Sequence, residues 1–214
     1  MTKAEQLYCG VQGAAYWERN RARLQEERYH RASSIRHLAP AEFQDAGDVM
    51  IKFVEVGCGR GHNLYDHDVG IDIDARNLSR ENRNCSFVGI VAPAYYIPLP
   101  DKSYPVVFSV GCLMHLPSTT GVLNITRNAW GEISMQDDTA SWQGAVREMA
   151  RISTKYVIIG EYWEDEEVEV DWHGEKGVLW ARNYTVPGFT LTAPLKTLPA
   201  FGKGVNFGIF IANK

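Results

Sequence analysis

The sequence predicts an α/β fold: a doubly wound, mostly parallel sheet with helices on both faces. Short apolar runs recur along the chain, each followed by glycine or a carboxylate, and helical stretches separate them. The runs are too continuously apolar for a sheet with one wet face, which points to central strands covered on both sides. Alternating strand and helix is the pattern of a parallel sheet wound in two directions. A glycine turn, "VGCGRG", directly follows the first apolar run, where the ligand crevice of such a sheet begins.

The elements follow in order. Residues 14–38, "AAYWERNRARLQEERYHRASSIRHL", predict a helical region ended before Pro40. Its arginines, Arg19, Arg21, Arg23, Arg28, Arg31 and Arg36, make it locally basic. They read either as a solvated helix face or as a lid over an anionic ligand. "IKFVEVG" (51–57), "VGIDID" (69–74), "CSFVGIVA" (85–92), "YPVVFSVG" (104–111) and "KYVIIGEY" (155–162) predict strands. Pro105 lacks a ladder donor and is expected to shorten its strand from the first residue. "TASWQGAVREMARIS" (139–153) predicts a helix with Val146, Met149, Ala150 and Ile152 facing inward. The ending "GVNFGIFIANK" predicts a further strand at a sheet edge. With no internal repeat or linker, residues 1–214 are expected to form a single domain, with 1–40 as an N-terminal helical lid region.

A chain of 214 residues is long enough to bury a sizeable core. A net charge of -4 argues against a surface built for nucleic acid. No apolar run approaches a membrane span, and "MTKAEQ" is too polar for a signal peptide. The four cysteines, Cys9, Cys58, Cys85 and Cys112, are scattered without a C-x-x-C pair, which fits reduced thiols in a cytoplasmic protein.

The glycine turn decides the ligand class. Gly57, Gly59 and Gly61 let the backbone turn sharply and approach a ligand without a Cβ in the way. A dinucleotide fingerprint wants glycine at the first, third and sixth positions, and the sixth here is His62. The spacing found is G-x-G-x-G with Glu55 just upstream, which disfavours NAD. Cys58, His62, Asp66 and His67 crowd the same stretch but lack a settled four-ligand pattern, so no metal is expected and the histidines read as surface or loop residues.

In this order the motifs resemble those of class I S-adenosylmethionine-dependent methyltransferases, which have a Rossmann-like fold. "VEVGCGRG" is similar to their first motif and "VGIDID" to their second strand ending in an acid. "IPLPDKSYPVVFSVGCLMHLP" is similar to their run through the fourth strand, and "AVREMARISTKYVIIGEY" to the next helix and strand. "GVQGAAYWERN" and "EYWEDEEVEVDWHGEKGVLWARNY" resemble, more narrowly, segments of methylases associated with pseudaminic acid, a bacterial surface sugar. The resemblance implies S-adenosyl-L-methionine as cofactor. It implies that Gly57, Cys58, Gly59 and Gly61 cradle the methionine part with Glu55 near its ammonium group, and that Asp72, beside Ile73, accepts from the ribose hydroxyls. Ala94, Tyr95, Gly111, Cys112 and His115 would line the remaining walls, and Tyr16 and Trp17 would cover the sulfonium.

Two positions depart from that pattern. The loop after the third strand reads "GIVAPAYYIPLP" and lacks the acid that commonly meets the adenine amino group, so Tyr95, Tyr96 or backbone groups could support the base instead. The connection "HNLYDHD" is short and would leave the crevice open on one side unless the N-terminal region closes it. For proton transfer the candidates are His115, after the fourth strand, and Glu161, at the end of the fifth. The acidic run "EYWEDEEVEVD" would repel phosphate backbones. The expected acceptor is therefore a small molecule, a sugar or sugar nucleotide, whose anionic group Arg19 and Arg21 could meet.

Overall fold

The computed structural model describes residues 3–10, 15, 18, 31–39, 51–79, 85–118, 124–127, 133–136, 140–172, 174–192, 195–198, 201 and 204–213. Tyr16, Trp17, Arg19, Arg21, Arg23 and Arg28 lie outside them. The described helices are α1 (Lys3–Tyr8), α2 (residues 31–38) and α3 (Trp142–Ile152). The strands are β1 (Phe53–Val56), β2 (Val69–Asp72), β3 (Val88–Val91), β4 (Tyr104–Val110), β5 (Asn124–Arg127) and β6 (Ile133–Gln136). They continue with β7 (Ser153–Tyr162), β8 (Val168–Glu169), β9 (Trp180–Ala181), β10 (Phe189–Leu191), β11 (Lys196–Thr197) and β12 (Val205–Ala212).

Eight strands form one sheet in the order β10-β12-β7-β4-β1-β2-β3, with β11 also on β12. The five strands from β3 to β7 run parallel, and β12 returns antiparallel against β7. Side chains alternate across this sheet and feed two cores. Val54, Val56, Val107, Val157 and Ile159 pack towards α3 on one face. Phe53, Val106, Phe108, Ile158 and Phe207 meet Ile35 and Leu38 of α2 on the other. Helices thus cover both faces, as the sequence predicts.

Local chemistry explains the element ends. Ser141 caps α3, its side chain accepting from Gly144 N at 3.0 Å. The inward face of α3 is Trp142, Ala145, Val146, Met149, Ala150 and Ile152, containing the four residues expected. Pro105 sits where the β4–β7 register shifts between Tyr104 and Val106, so the missing donor is absorbed by an irregularity and β4 keeps seven residues.

Two expectations need correction. The C-terminal strand β12 is interior, flanked by β7 on one side and by β10 and β11 on the other. Its central residues Phe207 to Phe210 are buried, which is why the run is so apolar. The sheet's path ends instead at β10 and at β3, and Val88 and Val91 of β3 are exposed. Arg31 and Arg36 do not lie on a solvated face. Arg36 grips Asp68 through both carboxylate oxygens at 2.6 and 2.7 Å, bonds Ile51 O at 3.0 Å, and lies over the Phe53 ring. Asp68 also accepts from Phe53 N and Tyr65 N, so this ion pair ties α2 to the start of β1 and to the short connection after it.

Candidate active site

The sheet order reverses at β1, whose neighbours are β2 and β4, and the crevice of an open α/β sheet lies beyond the carboxyl ends of those strands. Gly57, Gly59 and Gly61 follow β1 there with φ of 75°, 53° and 77°, and Gly111 follows β4 with φ of 68°. All four are left-handed, the region that side chains with a Cβ disfavour. Gly57 N and Cys58 N both donate to Ile71 O, at 2.8 and 2.9 Å, which folds the turn back over the end of β2.

Asp72 closes the other side of this turn. Its Oδ2 accepts from Gly59 N at 2.8 Å, and its Oδ1 from Asp74 N at 2.9 Å and Asn77 Nδ2 at 3.2 Å. Burial raises its pKa, opposed by these three hydrogen bonds. A carboxylate offers about four lone-pair directions, so one remains for a further donor. Asp74 accepts from Arg76 N at 3.0 Å and organises the following turn, which is not helical.

Glu55 lies on the Phe53 side of β1 and is fully buried. Asn63 Nδ2 donates to its Oε1 at 2.5 Å, and Arg31 Nε holds the Asn63 carbonyl at 3.0 Å. Oε2 is buried and makes no hydrogen bond. Burial raises the Glu55 pKa well above its ordinary value, and the Asn63 bond and the Arg31 charge oppose the shift. A buried, half-satisfied carboxylate is costly unless a donor reaches it. Asn63 and its role as a bracket for Glu55 carried no sequence signal beyond its place in the short connection.

Glu161, at the end of β7, is not a loop carboxylate in an acidic run but is completely buried. Its Oε1 accepts from Cys112 N at 3.0 Å and Leu113 N at 2.9 Å, and its Oε2 from Met114 N at 3.3 Å. These are the first amides of the 3-10 turn Leu113–His115, so Glu161 caps it. Burial pushes the Glu161 pKa up to about 7, against the pull of these three amides. Here Glu161 positions the turn after β4 rather than standing free as a proton acceptor. His115, also buried, engages Val178 O through Nδ1 at 2.8 Å and packs edge-on against Trp172. Burial brings its pKa down to about 4, so its ring is neutral near pH 7, with Nδ1 carrying the proton towards Val178.

The other predicted residues surround this centre. Ile73 and Ala94 are half-buried, Cys58 is buried, and Cys112 packs against Gly57. Tyr95 is half-buried and its hydroxyl meets Glu5 of α1 at 3.5 Å, whereas Tyr96 is exposed. His67 is exposed with positive φ, but His62 is buried, contrary to the surface reading. Among the described residues no three His, Cys, Asp or Glu side chains are placed to hold a metal, and no helix is long and apolar enough to cross a membrane.

Residues 54–128 match the methyltransferase domain family, the span from β1 through β5. No curated protein sequence matches the chain. Among solved structures it is similar to magnesium protoporphyrin IX methyltransferase of Synechocystis PCC 6803 with bound S-adenosylhomocysteine. That likeness has 10% identity and a TM-score of 0.53, covering 96% of this chain and 97% of the other. The same enzyme with bound S-adenosylmethionine gives 11% identity and a TM-score of 0.52, covering 96% and 94%. A Haloferax volcanii protein in complex with a methyltransferase activator gives 13% identity and a TM-score of 0.58, covering 94% and 96%. At these identities the likeness is one of fold. The methyltransferase domain's cofactor is S-adenosylmethionine, and the crevice suits it. Three carboxyls lie around the glycine turn: Glu55 and Glu161, both fully buried, and half-buried Asp72.

Proposed function

We propose that the chain transfers the methyl group of S-adenosylmethionine to a small-molecule acceptor. The observation that carries this reading is the Asp72 clamp on Gly59, which holds the glycine turn ready at the sheet's switch point. In this reading the turn from Gly57 to Gly61 receives the methionine part, Glu55 Oε2 accepts from the ammonium, and the remaining lone pair of Asp72 accepts from the ribose. When bound, the cofactor supplies a methyl already activated on sulfur, so the residues of the chain position, orient and exclude water. Glu161 holds the turn at Gly111 and Cys112 in place, and His115 ties that turn to Val178. His115, with a pKa of about 4, is a weak base, and the Glu161 oxygens are already occupied by three amides, which favours an acceptor whose lone pair needs no deprotonation.

Glu164 to Glu169 are exposed beside this turn, where Glu167 accepts from Ser118, and that negative rim would repel a nucleic-acid backbone. A sugar or sugar nucleotide is the acceptor suggested by the likeness of the two outer segments to pseudaminic acid methylases. Calorimetry with S-adenosylmethionine, followed by transfer of labelled methyl to pooled small molecules, nucleic acid or protein, tests this reading. Label that appears only on a polymer would overturn it.

Asp72→Ala is expected to weaken S-adenosylhomocysteine binding by about 1–3 kcal/mol, because it removes a charge-assisted acceptor and frees Gly59 N. An affinity equal to the parent's would leave Asp72 as a purely local cap.

The N-terminal region is proposed to cover the crevice. Cys9 O accepts from Arg76 at 2.5 Å, Glu5 meets Tyr95, and Lys3 pairs with Glu175 at 3.5 Å, so α1 reaches both rims. Amide protection of residues 3–10 is expected to rise with S-adenosylhomocysteine. Protection already high and unchanged by the ligand would make α1 a fixed part of the core.

A further inference from the structure

Beside the turn after β4 lies a polar cluster that the glycine turn and its acids leave unused. Arg182, next to β9, is 1% exposed. Its N donates to Tyr162 O at 3.3 Å, which places it at the carboxyl end of β7, and its Nη1 bonds Leu116 O at 3.0 Å. The guanidinium lies 5.7 Å from the Trp142 ring centroid and 5.3 Å from that of Trp180. Nε and Nη2 are buried and make no hydrogen bond, although Glu167 Oε2 stands 3.3 Å from Nε as a counter-ion. The Tyr184 hydroxyl is likewise buried without a hydrogen-bond partner, within electrostatic reach of Arg182. The Tyr184 ring meets Trp142 and Trp163 edge-on at 5.4 and 5.1 Å.

Buried donors without acceptors are rare and costly, and those of Arg182 and Tyr184 together in an aromatic surround mark a place where an acceptor belongs. A planar guanidinium fork matches a carboxylate or phosphate, and a tyrosine hydroxyl can donate to the same group. The indoles offer flat apolar walls for the body of a ligand. We propose that Arg182 and Tyr184 anchor the methyl acceptor, and that this acceptor carries an oxyanion bonded by Arg182 Nη2 and the Tyr184 hydroxyl. The inference rests on the methyl-transfer reading of the adjoining crevice and adds the acceptor's chemical class. Glu167 is the competing anion: its side chain is 37% exposed and tethered by Ser118, and it must yield for the oxyanion to enter.

The test titrates benzoate and inorganic phosphate, as carboxylate and phosphate probes, into the full chain saturated with S-adenosylhomocysteine, read by calorimetry and tryptophan fluorescence. One of the two is expected to saturate. Tyr184→Phe should weaken it about 3–10-fold and Arg182→Lys about 10-fold or more, since lysine keeps the charge but loses the fork. Glu167→Gln should tighten it by removing the competing carboxylate. Affinity for S-adenosylhomocysteine should stay within about twofold throughout, as no hydrogen bond to the glycine turn is touched. Failure of both anions to saturate, or saturation that the three variants leave unchanged, overturns the inference. A parent chain that does not bind S-adenosylhomocysteine overturns the methyl-transfer reading itself, and the acceptor role of this site with it.

Discussion

Gly57→Ala is expected to abolish S-adenosylmethionine binding in a calorimetric titration and to lower the urea midpoint, and adding Cys112→Gly to restore part of both. A Cβ built at Gly57 would stand 2.3 Å from both Cβ and Sγ of Cys112. Cys112 cannot retreat cheaply, because its amide and that of Leu113 are held by Glu161. The glycine turn must therefore move, and the bonds from Gly57 N and Cys58 N to Ile71 O move with it. Overpacking of this kind costs about 1–3 kcal/mol, and the left-handed φ of 75° adds about 1–2 kcal/mol for a residue with a Cβ. Removing the Cys112 side chain relieves the first cost and leaves the second, so the double variant should recover only in part. A Gly57→Ala protein that binds with the parent's affinity would show that the cofactor does not depend on this turn. A bulky residue at Gly59, where φ is 53° and the amide is clamped by Asp72, should also lose binding while the protein stays folded.

The sheet was legible because its parallel strands announce themselves one at a time. β1, β2, β4 and β7 are apolar runs that stop at a glycine or a carboxylate, since parallel strands are buried on both faces and their carboxyl ends carry the site. What a run cannot report is its neighbours. β12 reads as an ordinary apolar strand whether it lies at an edge or between β7 and β10, and β3 is apolar although much of it faces solvent. The same limit governs the site. Glu161 and His115 stand near the crevice as their positions after strands imply. Their roles depend on Cys112, Leu113 and Val178, brought up from distant parts of the chain, and no local spacing encodes those contacts. Arg182 and Tyr184 were invisible for a related reason. Nothing in the spacing of "LWARNY" sets them apart, and only the packing of three tryptophans around them shows that both carry buried, unmatched donors.

Glu161 and His115 also predict how stability responds to acid, and their effects oppose each other. The Glu161 pKa is raised from 4.5 to about 7, so the folded state holds its proton more tightly than the unfolded chain does. Its contribution is fully present below about pH 4.5 and is lost as pH rises through about 7. The His115 pKa is lowered from 6.5 to about 4, so the unfolded chain binds that proton more tightly. Its contribution is present above about pH 6.5 and is lost as pH falls through about 4. Each shift corresponds to about 3 kcal/mol at most, and between about pH 4.5 and 6.5 the two slopes cancel. As far as these two groups set it, the parent's urea midpoint should be nearly level across that window. Glu161→Gln keeps a carbonyl for the amides of Cys112 and Leu113 but cannot ionise, so its stability should fall as pH drops from 6.5 to 4.5. His115→Asn keeps a donor for Val178 O, and its stability should rise over the same interval. Urea midpoints of the three proteins at pH 4.5, 5.5 and 6.5 measure all of this. A Glu161→Gln protein as level as its parent would mean that His115 is not held neutral in the fold, and that the turn after β4 is open to water.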